Sequence, residues 1–267
     1  MPFDAQAYAD ELSIFTLVLV RIAALAAIAP FFGSAEVPLR VRALLAVAIS
    51  ALVVPLELDK ATAAPATTVP LSTTAFVIAA GAEALVGLTL GLGVLVLFSA
   101  VNVAGQMISQ ASGMQMAEVF DTGGETQLPV LSKLLFWVTL AVFVTIGGHR
   151  HVLAALLDTF EWMPAGQGMV TASVGSAMTS ILSQSFVLGV RAAAPAMMAL
   201  VLATLILGLA GRTLPQLNVM SLGFSLNTLV TLGAICLALG TAAWTFQEPL
   251  EPVLESLSDA LRSPDTR

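Results

Sequence analysis

Charge is scarce in this chain. Only 10% of its 267 residues are charged, ten Lys and Arg against seventeen Asp and Glu, where a soluble domain carries about 25%. The net charge of -7 and the lack of any basic cluster to meet phosphates exclude general nucleic-acid binding. Cysteine is rarer still: Cys236 stands alone inside an apolar segment. A disulfide framework is therefore impossible, and a buried structural thiol is the expectation. The two histidines, His149 and His151, flank Arg150. One intervening residue does not reproduce a helical metal pair, and no Cys or carboxylate cluster completes a metal site, so a loop or helix-end role is expected. Clustered titratable groups of the kind an enzyme needs are missing. The stretch Gln110-Ala111-Ser112-Gly113 falls one residue short of a Gly-x-Ser-Gly, and it has no base nearby to activate the serine. No fixed-period repeat or low-complexity tract is present. No Lys or Arg precedes the first apolar run, whereas Asp4, Asp10 and Glu11 do; that flank is wrong for a cleaved signal peptide, and the N-terminus is expected to be retained.

What the chain has in excess is apolar surface. Hydrophobic residues make up 58% of it and the mean hydropathy is +0.95, against about 45–50% apolar in ordinary domains. Such residues must face lipid or equally apolar subunits. Backbone groups in those surroundings bond internally, which leaves helices or a closed barrel. The runs are long, rich in Ala and Leu, and show no period-2 alternation, so the fold class is an all-α membrane protein. A span needs about 20 apolar residues, and six runs qualify: 12–29, 39–56, 71–108, 129–148, 183–209 and 219–246. The third is too long for one simple span and must tilt, break or project. Pro30 and Gly33 make 30–38 a turn. The segment 57–70 (ELDKATAAPATTVP) reads as an aqueous loop, and 111–128 as an acidic one with Gly113, Gly123 and Gly124. Residues 161–182 begin polar and small and grade into the fifth helix. In the tail, 249–262, Leu250, Val253, Leu254, Leu257 and Leu261 fall at helical spacing opposite Glu251, Glu255 and Asp259. This predicts a short amphipathic helix at an interface or against a partner. Basic residues divide between both sets of connections, so charge gives no orientation.

Within the apolar runs a few polar residues carry information. Arg21 and Glu83 lie inside the first and third, where an ionised group costs roughly 2.5–3.5 kcal/mol on insertion scales. A structural intramembrane pair is the favoured reading, because a proton or ion relay needs a longer chain of such groups. Gly87 and Gly91 form a G-x-x-x-G, which lets helix backbones approach closely without naming the partner. Asn102, Gln106 and Gln110 are spaced by four and so stack on one helix face. Met107, Met114 and Met116 add deformable apolar bulk beside them. The stripe suits either a channel lining with a movable constriction or an interhelical hydrogen-bond seam.

The connection Gly211-Arg212-Thr213-Leu214-Pro215-Gln216-Leu217-Asn218-Val219, followed by Met220-Ser221-Leu222-Gly223-Phe224, adds a further pattern. It stands with Arg21 before Pro30, Val37-Pro38, the Glu83/Gly87 spacing, Ala104-Gly105-Gln106, Asp121, Gly148-His149 and Ala194-Pro195. In order and spacing, over about residues 12–240, these elements resemble the FliR family of flagellar type III export proteins. The resemblance implies a subunit of the export gate, in the bacterial inner membrane at the flagellar basal body, that passes unfolded flagellar proteins. FliP-type and FliQ-type gate subunits and FlhA- and FlhB-type export proteins would be its partners, with no cofactor and no nucleic acid. Under it, residues 12–148 form a FliP-like part, 165–246 a FliQ-like hairpin, and 112–129 a plug loop. Asn102, Gln106, Met107, Gln110, Met114, Met116, Glu118 and Asp121 would then belong to the channel and plug. Arg21, Glu83, Arg191, Arg212, Gln216 and Asn218 would be structural polar residues among the helices. Thr122 stands where the family commonly has proline, and Met220, Ser225 and Asn227 also depart from its pattern. The injectisome branch shares this architecture and is the alternative, with a small-solute transporter a more distant one because no internal repeat is present.

Overall fold

A chain this rich in Ala and Leu satisfies its backbone within helices, and the computed structural model bears that out. The structure describes residues 5–33, 37–63, 72–113, 130–213 and 219–262. Among them it has seven α-helices and no strand: α1 (Ala5–Ile28), α2 (Leu39–Ala63), α3 (Thr73–Ser112), α4 (Val130–Thr145), α5 (Gly148–Trp162), α6 (Ala172–Thr213) and α7 (Val219–Arg262). Four of these, α1, α2, α3 and α6, are long and apolar enough to cross a membrane, and the bent pair α4 and α5 could make a fifth span. The sixth expected run, 219–246, lies within α7.

Several boundaries differ from the sequence reading. The third run does not break: α3 is a single helix of 40 residues, about 60 Å long at about 1.5 Å per residue. The fourth run ends earlier than expected. Gly147 takes a left-handed conformation (φ 78°) and separates α4 from α5, a backbone turn that glycine makes without steric cost. His149 and His151 therefore sit in the first turn of α5, a helix the apolar-run count missed because of its polar face. The segment 57–63 is not a loop, because α2 continues through Ala63; Glu57 turns inward and is buried. The tail is no separate helix either. It is the last part of the 44-residue α7, and it docks on its own chain rather than on a partner. Leu250, Val253, Leu254, Leu257 and Leu261 are all buried, while Glu251, Glu255 and Asp259 are exposed. Cys236, expected to be buried, is exposed; it shares a helix face with the exposed Leu229 and Leu232.

The chain divides into two compact units. The first comprises Met1–Leu95, Gly147–Ile181 and Leu250–Arg267. Its core includes Leu17, Val18 and Ile22 of α1, Val86 and Leu90 of α3, and Leu156 and Phe160 of α5. The G-x-x-x-G meets α1: a Cβ on Gly87 would lie 2.1 Å from the Arg21 carbonyl oxygen, and one on Gly91 3.2 Å from that of Leu25. Gly93 receives the Leu257 side chain of the tail, whose Cδ1 would be 2.2 Å from an added Cβ. The second unit comprises Val96–Ile146 and Leu182–Pro249. There Phe98 of α3 stands edge-on to Phe136 and Phe143 of α4, with centroids 5.7 and 5.3 Å away. Gly105 packs on Ser132 and Gly189 on the Ala100 carbonyl, at distances that leave no room for a side chain.

Candidate functional site

Inside the first unit lies a buried polar cluster. Arg21 and Glu83 are both fully buried and form an ion pair through Arg21 Nε and Glu83 Oε2. The guanidinium also donates through Nη1 to Thr159 Oγ1 (3.0 Å) and through Nη2 to the Met163 carbonyl (3.0 Å), and its Cζ lies 4.1 Å from the centroid of the Phe160 ring. Glu83 Oε1 accepts the backbone N–H groups of Gly166 (2.8 Å) and Gly168 (3.2 Å). Glu57 Oε2 accepts that of Ala165 (3.1 Å). Charges removed from water persist only when paired and hydrogen-bonded, and here the pairing is complete on both sides. The cluster does something specific: it straps the irregular segment 163–168, which links α5 to α6, onto α1, α2 and α3. Gly166 has φ +94°, and a Cβ on Gly168 would come within 3.0 Å of the Ala82 carbonyl carbon and the Glu83 nitrogen. Glycine at both positions lets the backbone reach the carboxylate.

Sequence reasoning found Arg21 and Glu83 but not Glu57, Thr159, Phe160 or the glycine strap. Val152, Leu156 and Phe160, spaced by four, were the available sign of α5. Thr171 and Ser173, just beyond the strap, fix the tail by donating their hydroxyls to the Ala260 carbonyl at 3.3 and 2.8 Å. Between α5 and the tail runs a groove of about 800 Å³ lined by Asp158, Glu161, Glu251, Glu255 and Asp259, among others. His151 Nδ1 lies 3.8 Å from Glu251 Oε1 there, both side chains being well exposed. His149 stacks at a tilt on Phe31 with centroids 5.6 Å apart. No group of three or more His, Cys, Asp or Glu able to hold a metal occurs among the described residues.

In the second unit, α3 presents the amide stripe. Gln106 and Gln110 are exposed and Asn102 and Met107 half-buried, while Val101, Ala104, Ile108 and Ser112 on the other side are buried. Ser132 Oγ donates to the Asn102 backbone carbonyl (3.3 Å), and no described hydrogen bond uses the three side-chain amides. Arg191 and Arg212 are exposed on α6, Arg212 in the last turn, where its charge complements the helix dipole. Met114, Met116, Glu118, Asp121, Gln216 and Asn218 lie outside the described residues.

Comparison with known proteins adds one consistent finding. The family model described as "Bacterial export proteins, family 1" matches residues 12–252. The chain is 31% identical over 219 residues to the flagellar biosynthetic protein FliR of Escherichia coli (strain K12), covering 82% of this chain and 81% of that protein. It is 29% identical over 210 residues to the FliR of Aquifex aeolicus (strain VF5), covering 79% and 78%. To the FliR of Caulobacter vibrioides it is 23% identical over 255 residues, covering 94% and 98%.

Proposed function

As a member of the bacterial export proteins, family 1, the chain is a multi-pass membrane component of flagellar protein export, and we propose that it forms part of the channel wall of the export gate. One observation carries this reading. Gln106 and Gln110, with Asn102 a turn before, hold amides outward on an apolar helix whose opposite face is packed. Amides offer donors and acceptors without fixed charge, so an unfolded polar chain can slide past them while ions gain no counter-charge. The half-buried Met107 supplies a side chain that deforms around a variable substrate.

In this reading the gate lies in the inner membrane at the flagellar basal body. FliP-type and FliQ-type subunits surround the chain, and FlhA- and FlhB-type proteins feed it. Residues 12–148 form its FliP-like part, 165–246 its FliQ-like hairpin, and the loop 112–129 closes the channel as a plug. The relatives compared above are flagellar proteins, which favours the flagellar branch over the injectisome. The chain conducts and does not turn over a substrate.

Three experiments test it. Deleting the whole chain abolishes export of hook and filament proteins while their synthesis continues; filaments in the deletion strain refute the export role. Deleting 114–124 from an assembled gate raises leakage of ions or small solutes. Single cysteines at Met116 and Val119, on a Cys236→Ser background, are shielded from reagents or crosslink to neighbours in the closed gate. Unchanged leakage with full labelling of both sites leaves the loop as a surface loop.

A further inference from the structure

Helix α6 carries an exposed seam that its own chain leaves open. Val187, Arg191, Ala194, Met198, Leu202 and Leu205 are all exposed. Their steps of four, three, four, four and three place them on one side of the helix, because an eleven-residue repeat advances about 3.67 residues per turn, close to the roughly 3.6 of the helix itself. Steps of three and four are those with which one helix receives the side chains of another. One turn in from Val187 stands a cation: Arg191 has no ion pair or hydrogen bond among the described residues. Four residues on, Pro195 has no N–H to give to the Arg191 carbonyl. One turn of the seam thus offers an unpaired guanidinium and a carbonyl without its usual helical donor.

Lipid does not fit this surface. Exposed apolar side chains run from Leu182 and Phe186 to Ile206 and Leu209, a length of roughly 42 Å at about 1.5 Å per residue. A hydrocarbon core is only about 30 Å thick. Placed over the middle of the seam, the core holds Arg191 in hydrocarbon, where an ionised group is costly and a free backbone carbonyl has no donor. Shifted toward Leu209 until Arg191 reaches the headgroups, it puts Val187 and Val190 among the headgroups as well and leaves Leu182 and Phe186 beyond them. A protein helix has neither restriction.

We propose that the α6 seam is an interface for an apolar helix of a different gate subunit, one that carries a carboxylate opposite Arg191. This rests on the export-gate reading and names the surface and the chemistry of one partner. The test replaces Val187, Met198 and Leu205 singly by photo-reactive benzoylphenylalanine in the full chain within native membranes, with adducts sequenced by mass spectrometry. All three positions are expected to join the same polypeptide within one apolar segment that has an Asp or Glu in register with Arg191. Arg191→Glu is expected to lower the adduct from position 198 at least tenfold, and changing the partner acid to Arg to restore it. Adducts to lipid alone, to a second copy of this chain, or to a segment without an acid in register overturn the proposal. So does an adduct that Arg191→Glu leaves unchanged. The identity of the wild-type adducts decides the matter even if Arg191→Glu does not accumulate. Lipid adducts in a strain whose deletion still abolishes export sink the seam and spare the export role; filaments in the deletion strain sink the export role whatever the adducts show.

Discussion

Taking the Arg21–Glu83 pair apart tests the buried cluster most sharply. Arg21→Met removes the ion pair, the bonds to Thr159 and Met163, and the contact with Phe160 together. Glu83 is then a buried carboxylate held only by the N–H groups of Gly166 and Gly168, both on Oε1. Leaving one charge of such a pair without its partner costs about 3–5 kcal/mol. Glu83→Gln fails for a different reason: if the amide oxygen keeps the two glycine N–H groups, its NH2 faces the Nε–H of Arg21, donor against donor. That single change also strands a buried charge and belongs in the same range of about 3–5 kcal/mol. The double variant carries no buried charge, and its amide oxygen still accepts from the strap. It is expected to cost less than the sum of the singles, with a coupling of about 2–3 kcal/mol. Unfolding of the full chain in mixed micelles, followed through Trp162 beside the strap, measures the cycle. Additive single effects, or an Arg21→Met cost below about 1 kcal/mol, would refute the claim that the cluster holds 163–168 through a compensated ion pair.

Gly87→Ala pushes a methyl group against the Arg21 backbone and is expected to destabilise by about 1–3 kcal/mol. Gly81→Ala in the same helix meets nothing within 4 Å and is expected to gain about 0.5–1 kcal/mol; thermal melts of the two variants in detergent check the contrast. Leu257→Ala empties the contact with Gly93 and is expected to cost about 2–5 kcal/mol, with faster proteolysis near residue 250; an unchanged digest would mean the tail is not docked. Glu57→Ala removes the acceptor of the Ala165 N–H, a bond to a charged group worth about 1.5–3 kcal/mol. Hydrogen exchange at Ala165 is expected to quicken by at least tenfold, while Glu57→Gln, which keeps an acceptor, leaves it near the wild-type rate.

The cluster and the stripe answer different demands. In the first unit every polar group described around Arg21 and Glu83 is turned inward and paired, which joins segments far apart in sequence. In the second, Gln106 and Gln110 are turned outward. The first pattern builds a scaffold, and the second presents a surface to whatever passes or binds. The relay considered for Arg21 and Glu83 gains nothing from the geometry, since both oxygens of Glu83 are occupied by fixed donors.

The helical class, the membrane setting and the family were legible in the chain alone, because they rest on composition, run length and ordered short motifs, all properties in one dimension. The sequence also singled out Arg21 with Glu83, the glycines that let helices close up, and the amphipathic face of the tail. The contact partners were not legible there. That Gly87 and Gly91 meet α1, that Glu57 turns inward from what reads as a polar loop, that the tail covers Gly93 of its own chain, and that Gly166 and Gly168 satisfy a carboxylate from α3 all depend on contacts between distant segments. Helix periodicity says which residues share a face and is silent on what the face meets. Glu57 shows the limit: Glu-Leu-Asp-Lys reads as solvated by composition, yet one buried N–H at Ala165, more than a hundred residues away, gives that carboxylate a reason to stay inside.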